Sequence, residues 1–260
     1  MNRFALIPAC PGRYLQCGIV FAMFGLATAG GAHAAESDRL KIGAGAAVIP
    51  RFEGSDEYRV RPVPLIDFQK GRFFARTGDG IGLNIVQTSR FTMGAGVNWM
   101  KGYRDSDVPD GIGKLSDALG GRLFVSTRVA GAVATLSATQ AITKSERGLV
   151  ANARVSYPYT LTERLKLIPS VSVNWANAKY MDSYFGVNAG QSAASGLAQY
   201  RPSAGFKDVS LRLAVNYELT KDWSVSGAVG ASRLLGDAAD SPLVERKSQL
   251  QAMAGVAYTF

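Results

Sequence analysis

From about residue 40 to residue 260, apolar and polar residues alternate with a period of two, and no apolar run reaches the ~18 residues of a helical membrane span. Val209, Leu211, Leu213, Val215 and Tyr217 are separated by Ser210, Arg212, Ala214 and Asn216. Phe91, Met93, Ala95, Val97 and Trp99 alternate in the same way with Thr92, Gly94, Gly96 and Asn98. Such a pattern specifies strands with one apolar and one polar face. It predicts an all-β, antiparallel chain of about 12 strands, with 10 as the alternative count. The segments run near 40–50, 60–69, 71–78, 80–87, 90–101, 121–130, 132–142, 148–158, 164–175, 206–218, 222–233 and 248–260. Pro62 and Pro64 cannot donate to a ladder, so 60–69 is expected to be partly loop.

The connections sort by length. Those at 69–71, 88–90, 130–132, 158–164 and 218–222 are short, and those at 50–60, 101–121, 142–148, 175–206 and 233–248 are mostly long. The connection at 78–80 breaks the pattern. Short turns on one side and long loops on the other predict a transmembrane β-barrel of the outer-membrane kind, with short periplasmic turns and long extracellular loops. Aromatic residues agree. Tyr157, Tyr217, Trp223, Phe91 and Phe260 fall at the short-turn ends of strands, and Trp99 and Trp175 at the other ends. Amphipathic rings prefer the two membrane interfaces. A soluble two-sheet sandwich is the competing architecture.

The first 34 residues read as a secretory signal peptide. Arg3 and Arg13 precede the apolar stretch 18–29, and Ala32, Ala34 and Ala35 supply the small residues of a cleavage site. The barrel is then expected over 35–260. Both cysteines (Cys10, Cys17) and the single histidine (His33) lie in the leader. The exported chain would therefore carry no disulfide, no Cys or His metal site and no Ser-His-Asp triad. The two leader arginines account for two of the nine net positive charges. No basic run marks a nucleic-acid surface.

The chain ends Gly255-Val256-Ala257-Tyr258-Thr259-Phe260. Gly255, Tyr258 and Phe260 resemble the signal that the barrel-assembly machinery reads. The opening Ile42-Gly43-Ala44-Gly45, the stretch Val48 to Tyr58, and Arg61-Pro62-Val63-Pro64 resemble the MipA/OmpV family of outer-membrane proteins. Tyr180-Met181-Asp182-Ser183-Tyr184-Phe185-Gly186-Val187 is similar to that family's long late loop, and Ser241-Pro242 fits as well. The resemblance implies a place in the outer membrane of a Gram-negative bacterium, in contact with its lipid. It also implies a scaffold that binds a lytic transglycosylase and a murein synthase.

No cofactor and no catalytic group is expected. Asp105, Asp107, Asp110 and Asp117 share one loop and Glu53, Asp56 and Glu57 another; both read as solvated loop charge. Gly78-Asp79-Gly80-Ile81-Gly82 lacks the Gly-Lys-Ser/Thr ending of a phosphate loop and reads as a tight turn. Arg122, Arg128, Arg154, Lys166 and Arg212 fall on the predicted lumen face, where charge tunes selectivity. That pattern supports a small-solute channel with an anion-favouring lumen as the second functional reading. Tyr180, Tyr184, Phe185 and Tyr200 make loop 175–206 too aromatic for a solvated connection. They are expected either to plug the barrel or to form an exposed contact surface.

Overall fold

The computed structural model describes residues 38–260; the leader and its Ala32, Ala34 and Ala35 lie outside the described residues. The strands are β1 (Arg39–Pro50), β2 (Tyr58–Lys70), β3 (Phe73–Arg76), β4 (Gly80–Gln87), β5 (Phe91–Met100), β6 (Ala118–Val129) and β7 (Ala132–Ala141). After them come β8 (Leu149–Ser156), β9 (Tyr159–Thr162), β10 (Leu165–Ala176), β11 (Gly205–Glu218), β12 (Trp223–Leu234) and β13 (Ser248–Thr259). Apart from β8 and β9, each pairs antiparallel with its neighbour in sequence, and β13 pairs with β1 to close the ring. β8 and β9 both lie along β10, β8 against Ser170–Ala176 and β9 against Leu165–Leu167. They are one stave interrupted at Tyr157-Pro158, so the barrel has 12 staves. Expected boundaries and found ones differ by a few residues. The larger corrections are that 158–164 contains a strand and that the third strand is only four residues long.

β2 is an unbroken strand of 13 residues despite Pro62 and Pro64, paired with β1 along the full length of that strand. The reason is its other edge. β3 flanks β2 only from Asp67 to Lys70. Just above, Thr77 donates its N–H to the Ile66 carbonyl, and its Oγ1 accepts from the Ile66 N–H and donates to the Pro64 carbonyl. Backbone groups point alternately to the two neighbours of a strand. Ile66, Pro64 and Pro62 therefore face this edge, which has no strand beside it higher up. Proline removes two N–H groups that would otherwise be left unpaired there.

The alternation resolves as lipid face outside and lumen inside. Val60, Leu123, Leu136, Leu211 and Leu250 are exposed on the outer surface, and Trp99, Trp175, Tyr217 and Trp223 form rings near its two ends. Among the described residues no helix is long and apolar enough to cross a membrane; the strands do so, and closure leaves no ladder groups facing lipid along the paired staves. At the closing seam a Cβ on Gly43 would lie 2.1 Å from the Val256 carbonyl oxygen, so only glycine permits this approach of β1 to β13.

Loop 177–204 is not structureless. It carries α1 (Ala178–Phe185) and α2 (Ala189–Ser195), whose first turns are capped by Asn177 and Asn188 accepting from the N–H groups of Tyr180 and Gln191. The last loop adds a short turn, α3 (Gly236–Ala239). α1 buries Tyr180, Met181, Tyr184 and Phe185 against Phe52, Tyr103, Val108 and Leu243 from three other loops. The long-loop mouth of the barrel is thus roofed by a dry aromatic cluster.

Candidate functional site

Beneath the roof lies a cavity of about 290 Å³. Tyr180, Tyr184 and Phe52 line it above, and Arg122, Arg154 and Arg212 line its walls together with serine and asparagine side chains. Below it, Val63, Leu65, Ile168 and Met253 pack with Ala47, Ala214, Ala228 and Ala257 into a buried apolar layer on the half of the ring from β10 round to β2. Phe74, only 2 % exposed, continues that layer onto β3 and meets Phe124 edge-on at 5.7 Å. On the β6–β8 side Ser126, Thr135 and Ser137 remain partly exposed.

One wall of the cavity departs from strict alternation. Asn174 of β10 pairs with Asp208, but Trp175 pairs with Phe206, so Lys207 is an extra residue in β11. This bulge turns two consecutive side chains, Lys207 and Asp208, toward the lumen. Lys207 bridges Asp208 at 2.6 Å and also pairs with Glu53 from the first loop. Asn174 donates to Asp208 at 2.8 Å. Asp56, Glu57, Asp105 and Asp110 are exposed as expected, but three other loop carboxylates are engaged, and Glu53 locks onto the bulge. Asp107, with its side chain 7 % exposed, accepts a 2.6 Å ion pair from Arg59. Asp117 accepts from the Gly102 N–H, the Trp99 indole and Lys101, each at 2.9 Å. Burial alone would raise the Asp117 carboxyl; these donors outweigh it and hold the group below its usual value.

The roof is held by a second cation that the alternation did not flag. Arg147 is fully buried and donates to the carbonyls of Ser116 and Lys101, both at 2.6 Å. Its guanidinium lies 6.0 Å from the Tyr184 ring centre. Burial pushes the phenols up: Tyr103 to about 12, with Arg147 pulling the other way, and Tyr180 and Tyr184 also well above the ordinary value. These phenols stay neutral at physiological pH and serve as packing, with Tyr184 accepting from the Glu53 N–H at 3.4 Å.

The expected site residues divide into groups. Arg122, Arg154 and Arg212 meet around the cavity. Arg122 is bridged to Asp79 at 3.1 Å. Arg128 is exposed at the short-turn rim, and Lys166 pairs with Glu218 there, so neither lines the cavity. Tyr180, Tyr184 and Phe185 sit in the roof; Tyr200 lies at its margin, donating to the Asp237 carbonyl at 2.8 Å. Gly255 faces Leu65 across the seam, and Tyr258 stacks edge-on between Trp223 and Phe260 at the short-turn interface. Among the described residues no three His, Cys, Asp or Glu side chains converge on a metal position.

The three stretches that carried the family resemblance meet in space. Glu53 reaches Tyr184, Ser241 donates to the Phe185 carbonyl at 2.6 Å, and Gln249 donates to the carbonyls of Phe52 and Ser55. They form the roof and its anchor on the barrel wall. The comparison with known proteins runs the same way. The family profile described as "MltA-interacting protein MipA" matches residues 42–260. The MltA-interacting protein of Escherichia coli (strain K12) is 26 % identical over 254 residues, covering 95 % of this chain and 98 % of that protein. Outer membrane protein Omp26La of Vibrio anguillarum is 24 % identical over 196 residues, 73 % of this chain and 70 % of its own. Among solved structures, the NanC porin superposes with a TM-score of 0.44 at 10 % identity, covering 84 % of this chain and 98 % of that one. Sequence, barrel and roof together place the chain in the outer membrane of a Gram-negative bacterium, as a member of the MltA-interacting protein MipA family.

Proposed function

We propose that the protein is a non-enzymatic scaffold, holding a murein hydrolase and a murein synthase at the periplasmic face of the outer membrane. The observation that carries this reading is the edge of β9. All four residues Tyr159–Thr162 are exposed, and β9 pairs with β10 alone. β7 pairs with β8 only from Val133, level with Ser156, so no strand flanks β9 on its other side. A short unpaired edge at the periplasmic rim offers backbone donors and acceptors for strand addition by a partner. The relative named for interaction with MltA, aligned along nearly its whole length, supports the same reading. A roofed mouth and a half-filled lumen suit anchoring better than rapid passage. Gly255, Tyr258 and Phe260 serve assembly by the barrel machinery in this account.

Photo-cross-linkers at Thr162 and Lys221 in living cells test it. Capture of a lytic transglycosylase or murein synthase from Thr162 is expected, with Thr160→Pro, which removes an edge donor, reducing it. Capture of assembly factors alone would sink the scaffold. The cationic lining at Arg122, Arg154 and Arg212 favours a second reading, a small-solute channel selective for anions. A bilayer conductance that loses anion preference in Arg154→Gln would support it; the absence of conductance would dismiss it.

A further inference from the structure

The cavity is not bounded by wall on every side. β2 has no strand neighbour on its outer edge from Tyr58 to Val63, a stretch of about 20 Å at ~3.3 Å per residue. β4 reaches β5 only as far as Val97. The β3–β4 turn at Thr77–Asp79 forms a sill, with Asn98 donating to the Gly78 carbonyl at 3.4 Å. Above, loop 101–117 leans across to β2: Arg59 pairs with Asp107, and Arg51 donates to the Ser106 carbonyl. The result is a window through the barrel wall. The cavity runs without interruption from its frame, at Arg61, Gly78, Asn98 and Trp99, to Ser172 and Arg212 on the far side.

Two properties of the window identify what it takes. Its outer margin is lipid-facing: Val60 is 69 % exposed, and Val97 and Trp99 are exposed on the same surface. Its inner side is cationic: eight Lys and Arg side chains line the cavity against three carboxylates, Glu53, Asp79 and Asp208. Five of the eight, Arg51, Arg59, Lys101, Arg122 and Lys207, are neutralised by carboxylates, three of which (Glu57, Asp107 and Asp117) lie outside the lining. Arg61, in the frame, and Arg154, deeper in, make no hydrogen bond or ion pair among the described residues.

We infer that the window is a lateral binding site for an anionic lipid of the outer leaflet. The acyl chains lie against Val60, Pro62 and Val97 while the charged head group passes through the wall to Arg61 and the cavity behind it. A head group arriving from the water on the long-loop side would have to pass the aromatic roof, whereas one arriving from the bilayer meets an opening already at membrane level. Half-buried guanidinium groups bind phosphate more strongly than exposed ones, because water competes less. The site is independent of the β9 edge, and neither proposal needs the other.

Native mass spectrometry of the full barrel tests the inference, after extraction from vesicles of phosphatidylcholine containing a minority of phosphatidylglycerol. One phosphatidylglycerol is expected to remain bound in preference to phosphatidylcholine. Arg61→Gln should weaken retention about tenfold, a single charge-assisted contact. Arg61→Lys should restore much of it, and Arg128→Gln, at the other rim, should leave it unchanged. Heat-modifiable mobility on gels verifies that each variant is a closed barrel. Equal retention of both lipids, equal retention by Arg61→Gln, or ready displacement by inorganic phosphate would overturn lateral entry of an anionic lipid.

Discussion

Two parts of the same wall solve the problem of lining a membrane differently. From β10 through β11, β12, β13 and β1 to β2, every strand is 12 to 14 residues long, and each pairs along most of its length. Small residues let these staves approach and their inward side chains fill the lumen. β3 and β4, by contrast, have four and eight residues, and the wall above them is missing. Ladder hydrogen bonds hold the tall part. Around the low part, proline, a threonine hydroxyl and ion pairs from loop 101–117 take their place. A barrel can evidently afford an interruption in its sheet where donors are deleted rather than left exposed.

The largest expected effect tests the tall wall. Gly43→Val would drive a side chain into the Val256 carbonyl and the Ala257 backbone, costing on the order of 5 kcal/mol or more. No heat-modifiable, folded species should form; a normal barrel would contradict the tight seam. Next comes the loop that caps the low wall. Arg147→Ala leaves the Ser116 and Lys101 carbonyls without their buried donor and opens a void, a loss of roughly 3 kcal/mol. Protease should then cut within 101–117 while the strands stay protected.

A smaller effect probes the edge itself. Pro62→Ala restores an unpaired N–H and frees the unfolded chain, and should destabilise by about 1 kcal/mol in urea unfolding from lipid vesicles. Unchanged or increased stability would break the argument that proline is there for its missing donor. The smallest effect concerns the post on the far side of the window. The Asp117 carboxyl is held below its ordinary value, so its contribution is complete above about pH 3.8 and fades as the pH falls through the depressed value. In a Trp175→Phe, Trp223→Phe background, Trp99 emission should stay constant from neutral pH to about 4 and change below it. Asp117→Asn should remove that transition.

The alternation made most of the tall wall legible, since strands with one lipid face leave a period-two trace whatever their partners. It could not foresee β3, because a strand's length depends on which neighbour it meets. Nor could it foresee Lys207. A bulge shifts the phase by one residue, and period-two reading assigns that lysine to lipid. The aromatic residues of loop 177–204 were legible as too apolar for solvent. Their helices were not, because eight- and seven-residue helices depend on the surface they cover more than on propensity. Asn177 and Asn188 were the local signs available. Of the acidic loops, Asp56, Glu57, Asp105 and Asp110 are exposed as expected, while Asp107 is not: a loop carboxylate looks solvated until the arginine it meets, Arg59, 48 residues away, is known.

The seam between β1 and β13 also has a meaning in time. Its two strands lie at opposite ends of the described chain, so the pairing that seals the cylinder cannot precede the arrival of nearly every other residue. Until then the growing sheet has two raw margins, and contacts between such distant segments form slowly. Any defect at the Gly43 approach would leave the sheet open, with two margins free to pair with other chains.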